Sequence, residues 1–233
     1  MPHPVTAGIV LGLAVGVFGL SFGVLAVASG LTVAQASAMS LLVFTGASQF
    51  AAVAVVGAGG STPAALGGAL LLAARNGAYA LAVSDLLDHP RPLRWLAAQF
   101  VIDESTAMAT AQPDAESGRK AFWVTGLAVF VCWNVGTLLG ALGGDAVGDP
   151  ARYGLDAAFP AGFVALLVPH VRTIDGRLAA VIGATVALLA VPVAPAGVPV
   201  LLASGAVLLG LRRSPGSDHD RGTGALQPDG MVP

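Results

Sequence analysis

The chain has 233 residues, of which 55% are hydrophobic and only 10% are charged, and its mean hydropathy is +0.80. A soluble domain is about one-quarter charged, and several apolar stretches here reach the roughly 20 residues that a helix needs to span a bilayer. The composition therefore predicts an all-α, polytopic integral membrane protein. A net charge of −2 gives no indication of nucleic-acid binding, and the single cysteine, Cys132, cannot form an internal disulfide.

The sequence lacks the motifs of hydrolytic enzymes and of metal sites. Neither H-E-x-x-H nor G-x-S-x-G occurs, and no stretch resembles a nucleotide-binding loop. We therefore expect a protein without enzymatic activity, cofactor or metal. The four histidines are scattered along the chain: His3, His89, His170 and His219.

The first apolar stretch, about residues 7–29, predicts a transmembrane helix with one face of nearly bare backbone. A glycine spacing of four residues lets another helix approach closely, and simple packing is the favoured interpretation over a functional one. The first Lys or Arg is Arg75, so the basic region of a cleavable signal peptide is missing and the span is expected to be retained. Gly30 ends this span, and Thr32 is the expected N-cap of the next. The glycines on the face are Gly8, Gly12, Gly16, Gly19 and Gly23.

The second span, about residues 33–57, predicts a broken helix. Gly46 loosens it at mid-membrane depth, where Thr45, Ser48 and Gln49 add polar groups. Irregular backbone at that depth is tolerated only where protein buries it or where it lines a cavity. Transporters bind substrate at such breaks, with N–H groups facing an anion and carbonyls facing a cation, and an amino acid carries both charges. Ordinary helix packing by Thr, Ser and Gly explains these residues equally well.

The third span, about residues 63–87, contains Arg75, Asn76 and Tyr79. A central Arg costs several kcal/mol on insertion scales, so it is by default a functional hypothesis. Tyr79 shares its helix face, because the two residues are four apart. The alternative is a structural Arg that caps the carbonyls of a broken helix.

Residues 92–111 predict an amphipathic or re-entrant segment, because Asp103 and Glu104 directly follow apolar residues. Adjacent acids raise one pKa of the pair, which suits a proton-coupling carboxylate. The favoured alternative is that both acids face water at a helix end. Residues 112–120 are expected to form a charged loop.

The second half of the chain predicts four more spans and a disordered tail. Asp156 is a third candidate for proton coupling, or an acid favoured by a helix dipole, and Pro160 is expected to kink its helix and free a carbonyl. The predicted spans are 121–142, 155–171, 178–193 and 198–211; residues 143–153 form a loop and 214–233 the tail.

Seven spans place nearly all basic residues on one side of the membrane if residues 88–120 do not cross it. Basic loops stay cytoplasmic, which predicts an outer N-terminus and a cytoplasmic C-terminus. Residues 1–213 would then form one transporter domain. Residues 7–111 and 119–211 also show a faint similarity, and three spans per unit would make them inverted repeats. Because Gly and Ala are so frequent, chance explains the similarity equally well.

At several positions the sequence closely resembles the AzlC family, the large subunit of branched-chain amino acid exporters. The resemblance runs from about Ala7 to Leu189 and rests on an ordered set of short motifs. These are residues 21–26, Gly30-Leu31, Met39-Ser40, residues 43–50, Arg75-Asn76-Gly77-Ala78-Tyr79, Asp103-Glu104, residues 133–137 and residues 154–160.

The resemblance implies a secondary exporter of branched-chain amino acids in the inner membrane, with a small hydrophobic AzlD-type partner subunit and no redox cofactor or ATP. One departure concerns the motif of the third span, which in the family often reads Asn-x-Arg-His-x-x-Tyr-Gly. Here Ala73, Asn76 and Ala80 replace the Asn, the His and the Gly. A proton-carrying role of that His therefore cannot be transferred to Asn76.

Together these observations predict a transporter that exports small apolar amino acids by alternating access. Thr45, Gly46, Ser48 and Gln49 would hold the amino and carboxylate groups, and Arg75 would pair with the carboxylate or fix the broken helix. Asn76, Tyr79 and Pro160 complete the expected site, with Phe44, Phe50 and Phe159 as apolar walls. The alternatives are a non-transporting membrane scaffold, whose glycine face binds a partner subunit, and a passive channel.

Overall fold

A computed structural model of the chain describes residues 4–87, 90–147 and 170–205, together with isolated positions between 152 and 168. All regular structure in these ranges is helical, in agreement with the predicted class. The helices are α1 (Pro4–Ala28), α2 (Val33–Val43), α3 (Ala47–Gly57), α4 (Thr62–Ala73), α5 (Arg75–Ala82), α6 (Arg91–Gln99), α7 (Asp103–Thr110), α8 (Ala115–Val147), α9 (Ile174–Ala190) and α10 (Val198–Ser204), with a short 3₁₀ helix at His170–Arg172.

Two stretches, Val5–Ala28 and Ala115–Gly144, form helices that are long and apolar enough to cross a membrane. The predicted second and third spans each occur as two shorter helices, α2–α3 and α4–α5. The predicted sixth span largely coincides with α9, and α10 begins at Val198, where the predicted seventh span begins. The fifth span lies largely outside the described residues, as does the tail. The count of seven spans and the inverted repeats therefore stay predictions.

The glycine face of α1 packs against α8, so closely that side chains are excluded. A Cβ atom on Gly12 would lie 2.9 Å from the Ala128 Cβ, and one on Gly19 would lie 2.6 Å from the Trp133 carbonyl oxygen. From the other side, Gly140 faces the backbone of Leu20. This contact confirms that the glycine spacing in the first span serves helix packing.

The helix α8 is longer than the predicted fourth span, and it corrects two predicted loops. It begins at Ala115, inside the stretch 112–120 expected to be a loop, because the Asp114 carboxylate accepts a 2.8 Å hydrogen bond from the Ser117 backbone N–H. It also continues past residue 143 to Val147. Its 33 residues correspond to about 50 Å, longer than the roughly 30 Å hydrocarbon layer.

The core is aromatic and lies where α1, α3 and α8 meet. Phe22 is fully buried, with its ring centroid 5.5 Å from that of Phe50 and 5.8 Å from that of Trp133. The outer sides of both long helices are apolar instead, with Leu13 and Leu142 mostly exposed, as expected of surfaces that face lipid. The polar contact between Ser40 and Thr137 Oγ atoms, 3.2 Å and buried, attaches α2 to α8.

The start of α2 is formed as the sequence predicts. Gly30 ends the preceding helix with a φ of +92°. Thr32 caps α2 by accepting a 3.2 Å hydrogen bond from the Gln35 backbone N–H, and the Gln35 side-chain Oε1 accepts one of 2.8 Å from the Thr32 N–H. This reciprocal capping box lies at an exposed position.

Candidate functional site

The predicted break at Gly46 is present and separates α2 from α3. Phe44 has a φ of 38° and Gly46 a φ of 54°, so the chain turns through two left-handed residues. Phe44 is only 3% exposed, which shows that the turn lies inside the protein. An interruption of this kind leaves carbonyl groups at the end of α2 and N–H groups at the start of α3 without helical partners.

Gln49 satisfies part of this interrupted backbone. Its Oε1 accepts a 3.1 Å hydrogen bond from the Gly46 N–H, and its Nε2 donates one of 3.1 Å to the Met39 carbonyl. The side chain is completely buried. Gln49, expected among the substrate-binding residues, therefore uses both ends of its amide to hold the two half-helices together.

Two hydroxyl groups beside the same break have no hydrogen-bond partner. The Oγ1 of Thr45 and the Oγ of Ser48 are both buried, and Ser48 is only 2% exposed. An unsatisfied buried hydroxyl costs roughly 1–3 kcal/mol, and such groups in native structures call for an explanation. The two unused hydroxyls fit the expectation that a ligand binds at this break.

A second interruption divides the segment 92–111, which the sequence predicts as a single amphipathic or re-entrant stretch. Residues 100–102 separate α6 from α7, and the Ser105 hydroxyl caps the gap by accepting a 3.2 Å bond from the Ile102 N–H and donating to the Phe100 carbonyl. Ser105 is fully buried.

The first two interruptions are in contact. The Phe44 and Phe100 ring centroids are 6.4 Å apart, and Phe130 of α8 packs on both rings. Gln99 donates a 3.0 Å hydrogen bond to the Leu41 carbonyl near the end of α2. Irregular backbone from two separate parts of the chain is thus gathered around one aromatic cluster.

A third and slighter interruption lies at Ala74, between α4 and α5, directly before the central arginine. The backbone of Ala74 keeps helical angles (φ −56°, ψ −30°), and its N–H still donates to the Leu70 carbonyl. Arg75 Nη2 forms an ion pair with Asp103 Oδ2 at 2.9 Å, with side chains 26% and 23% exposed respectively. Each of the two is the first residue of its helix, α5 or α7. Tyr79, on the same face as Arg75, lies beside the Asp103 carboxylate and interacts with it. The pair therefore joins the third interruption to the second.

The ion pair joins one guanidinium nitrogen to one carboxylate oxygen, and Tyr79 is a further neighbour of that carboxylate. Arg75 Nε and Asp103 Oδ1 are buried, and neither has a hydrogen-bond partner. Arginine and a carboxylate often form two parallel hydrogen bonds, which would use both of these atoms. The two members of one ion pair thus keep a buried donor and a buried acceptor without partners.

The remaining predicted residues are less informative. Asn76 and Glu104 are partly buried on α5 and α7. Pro160 is exposed and helical, whereas Asp156 and Phe159 lie outside the described residues. Within the residues that the structure describes, no three His, Cys, Asp or Glu side chains converge as a metal site would require.

Several residues of this region have no role in the sequence-based prediction. Gln99, Ser105 and Phe130 all help to hold the interruptions. Trp133 Nε1 and Asn134 Oδ1 are further buried atoms without partners. Asn134 is recognisable in the sequence as a polar residue inside an apolar segment. Nothing in the local sequence distinguishes Gln99 from a surface residue.

Comparison with known proteins places most of these features in one family. The model of the family described as AzlC protein matches residues 10–147, which is 138 of the 233 residues and includes all three interruptions. An uncharacterized membrane protein of Helicobacter pylori (strain ATCC 700392 / 26695) is 27% identical over 190 residues, which cover 79% of this chain and 80% of that protein. No solved structure matches. The chain is therefore a membrane protein that belongs to the AzlC family, the family of branched-chain amino acid exporters.

Proposed function

We propose that this chain is a secondary transporter that exports branched-chain or other small apolar amino acids across the inner membrane. It works by alternating access, with the N-terminus outside and the C-terminus in the cytoplasm, and together with a small AzlD-type subunit. Membership of an exporter family supports transport, and the basic residues support the orientation.

The observation that carries this proposal is the gathering of three helix interruptions around buried polar atoms that have no partner. The backbone is irregular at residues 44–46 and 100–102, which are joined by the Phe44–Phe100 contact. The Arg75–Asp103 pair ties the slighter interruption at Ala74 to them. Irregular backbone in a membrane protein is stable only where protein surrounds it or water reaches it. Secondary transporters bind substrates and ions at such places.

The residues at the interruptions fit the parts of an apolar amino acid. Arg75 would take the carboxylate, and the hydroxyls of Thr45 and Ser48 would supply further hydrogen bonds. Phe44 would form part of the apolar wall for the branched side chain, with Phe159 as a further candidate. One methylene group changes binding by only about 1–3 kcal/mol in such a pocket, so related apolar amino acids would be poorly separated. Asp103, Glu104 and Asp156 remain the candidates for a coupling proton.

The first experiment is radiolabelled leucine flux in proteoliposomes, with and without the co-expressed small subunit, under an imposed proton gradient. We expect saturable flux that depends on the gradient. Flux without gradient dependence would instead favour a passive channel. The absence of flux with several apolar amino acids, in the presence of the subunit, would contradict the proposed function.

A variant at the first interruption tests whether the break itself is needed. Gly46→Leu places a side chain on a residue with a φ of 54°, which L-residues rarely adopt, so the break should rearrange and flux should be lost. Gly77→Leu is the control, because that glycine is exposed and no atom lies within 4 Å of a Cβ placed there. Normal flux by Gly46→Leu, with membrane levels like those of Gly77→Leu, would refute the broken-helix mechanism.

The scaffold alternative loses its main support in the structure. It assigned the glycine face of residues 8–23 to a partner subunit, but α8 of the same chain occupies that face. A scaffold would tolerate Thr45→Ala and Ser48→Ala together, whereas a transporter should lose flux in this double variant without losing expression.

A further inference from the structure

The Arg75–Asp103 pair has an arrangement that a purely structural ion pair does not need. One hydrogen bond of 2.9 Å joins Nη2 to Oδ2, while the adjoining Nε and Oδ1 atoms are buried without partners. Leaving a charged donor and a charged acceptor unsatisfied in this way is unfavourable, and a second parallel hydrogen bond between the same two groups would remove the cost. The free atoms therefore point to a ligand that carries both a negative and a positive group.

We propose that Arg75 and Asp103 together bind the charged groups of a zwitterionic α-amino acid. Arg75 Nε donates to the α-carboxylate, and Asp103 Oδ1 accepts from the α-ammonium. This assignment rests on the proposed function and extends it, because it gives Asp103 the role of a substrate ligand in addition to any role in proton coupling. It also defines the substrate class: the free amino group and the free carboxylate are both required.

The position of the pair suits a site that opens and closes. Arg75 begins α5 and Asp103 begins α7, so both side chains lie directly at interruptions of the helices. Nε and Oδ1 are shut off from solvent in this conformation, although about a quarter of each side chain is exposed. A substrate can reach them only when α5 and α7 move apart, which is the kind of movement that alternating access supplies.

The chemistry makes a specific prediction about ligand preference. A ligand that lacks the ammonium group leaves Asp103 Oδ1 unpaired, and one that lacks the carboxylate leaves Arg75 Nε unpaired. Because hydrogen bonds to charged groups are strong, we expect each loss to weaken binding by about ten- to hundredfold. The probes are leucine, isocaproate (leucine without its amino group) and isoamylamine (leucine without its carboxylate).

The test measures binding of radiolabelled leucine to the purified protein, with its small subunit, in competition with the two analogues. Wild-type protein should prefer leucine over both. In Asp103→Asn the affinity for leucine should fall about ten- to hundredfold, and the preference for leucine over isocaproate should disappear. Asp103→Glu should restore part of that preference. Asp85→Asn, which removes an exposed carboxylate just after α5, is the matched control and should bind like wild type.

The outcomes separate this assignment from the proposed function. If the wild-type protein transports leucine but Asp103→Asn keeps its preference over isocaproate, the assignment is wrong and the proposed function stands. The same holds if that variant loses only its dependence on the proton gradient, because Asp103 would then serve coupling alone. If wild-type protein neither binds nor transports leucine or several other apolar amino acids, in the presence of the subunit, both are wrong. If Asp103→Asn does not fold, Asp103→Glu decides. The shifted carboxylate should lower the preference for leucine over isocaproate below that of wild type, and an unchanged preference would contradict the assignment.

Discussion

Two parts of this molecule use glycine for opposite purposes. On the first helix, Gly12, Gly19 and Gly23 remove side chains so that α1 and α8 touch along their backbones without interruption. At the end of α2, Gly46 has a φ of 54° and helps to break the helix. The first arrangement leaves both helices unbroken along their contact. The second opens the backbone and depends on side chains such as Gln49 to close it again.

The two parts therefore have different mechanical roles. Long, continuous helices that meet through glycine form a firm support, because neither helix has room to shift without backbone overlap. The interrupted helices α2–α7 hold most of the described polar atoms that are buried without partners. A conformational change is therefore expected in the interrupted part, while α1 and α8 keep their contact. Matched variants within and between the two parts test this difference.

The largest effect on stability is expected from Gln49→Ala. It would leave the Met39 carbonyl and the Gly46 N–H unpaired inside the protein, at a cost of about 2–4 kcal/mol for the two groups. Gln35→Ala removes a glutamine of the same capping geometry from an exposed position, where water replaces the lost bond, so it should cost about 1 kcal/mol or less. The measurement is thermal unfolding of purified protein, followed by loss of the monodisperse peak on size exclusion.

Equal losses for these two glutamine variants would contradict the role of Gln49 as the bridge across the break. A reduced flux in Gln49→Ala at temperatures where the protein stays folded would show that the bridge also matters for transport.

A smaller effect, of about 1–3 kcal/mol, is expected from Gly23→Ala. The added Cβ would meet the Thr137 carbonyl oxygen and lie 2.6 Å from the Ala141 backbone nitrogen, so α1 and α8 would have to separate. Gly68→Ala is the control: this buried glycine of α4 has no atom within 4 Å of an added Cβ. It should raise stability slightly, because alanine favours a helix over glycine. The same unfolding measurement checks both, and a destabilised Gly68→Ala with an unchanged Gly23→Ala would reverse the comparison.

The sequence alone predicts those features that arise from neighbouring residues. The glycine spacing of the first span, the cap at Thr32 and the break at Gly46 all follow from local geometry, and all three occur in the structure. The error at residues 115–120 has a local cause too. Charged residues there are typical of a loop, although Asp114 caps a helix that includes them.

Features that depend on distant residues were not predictable in the same way. Glycine spacing shows that a helix approaches, but it does not show that this helix is α8 of the same chain instead of another subunit. The bond from Gln49 to the Met39 carbonyl and the pair of Arg75 with Asp103 depend on how the interrupted helices pack. Residues 75 and 103 each suggested a function from their charge in an apolar segment, but their pairing required the fold.

The smallest effect is expected in the first turn of α8, which precedes the stretch of this helix that contacts α1. The Ser117 N–H that donates to the Asp114 carboxylate lowers the pKa of this fully exposed group. Its stabilising contribution is therefore fully present above the unfolded pKa of about 4, and it is lost as the pH falls through the lower folded pKa. Asp114→Asn keeps a capping side chain but removes the charge, so it should unfold at a slightly lower temperature than wild type at neutral pH. The two proteins should converge below about pH 4. A difference in unfolding temperature that persists at lower pH, or one as large as that of Gly23→Ala, would mean that the first turn of α8 is part of the firm support formed by α1 and α8.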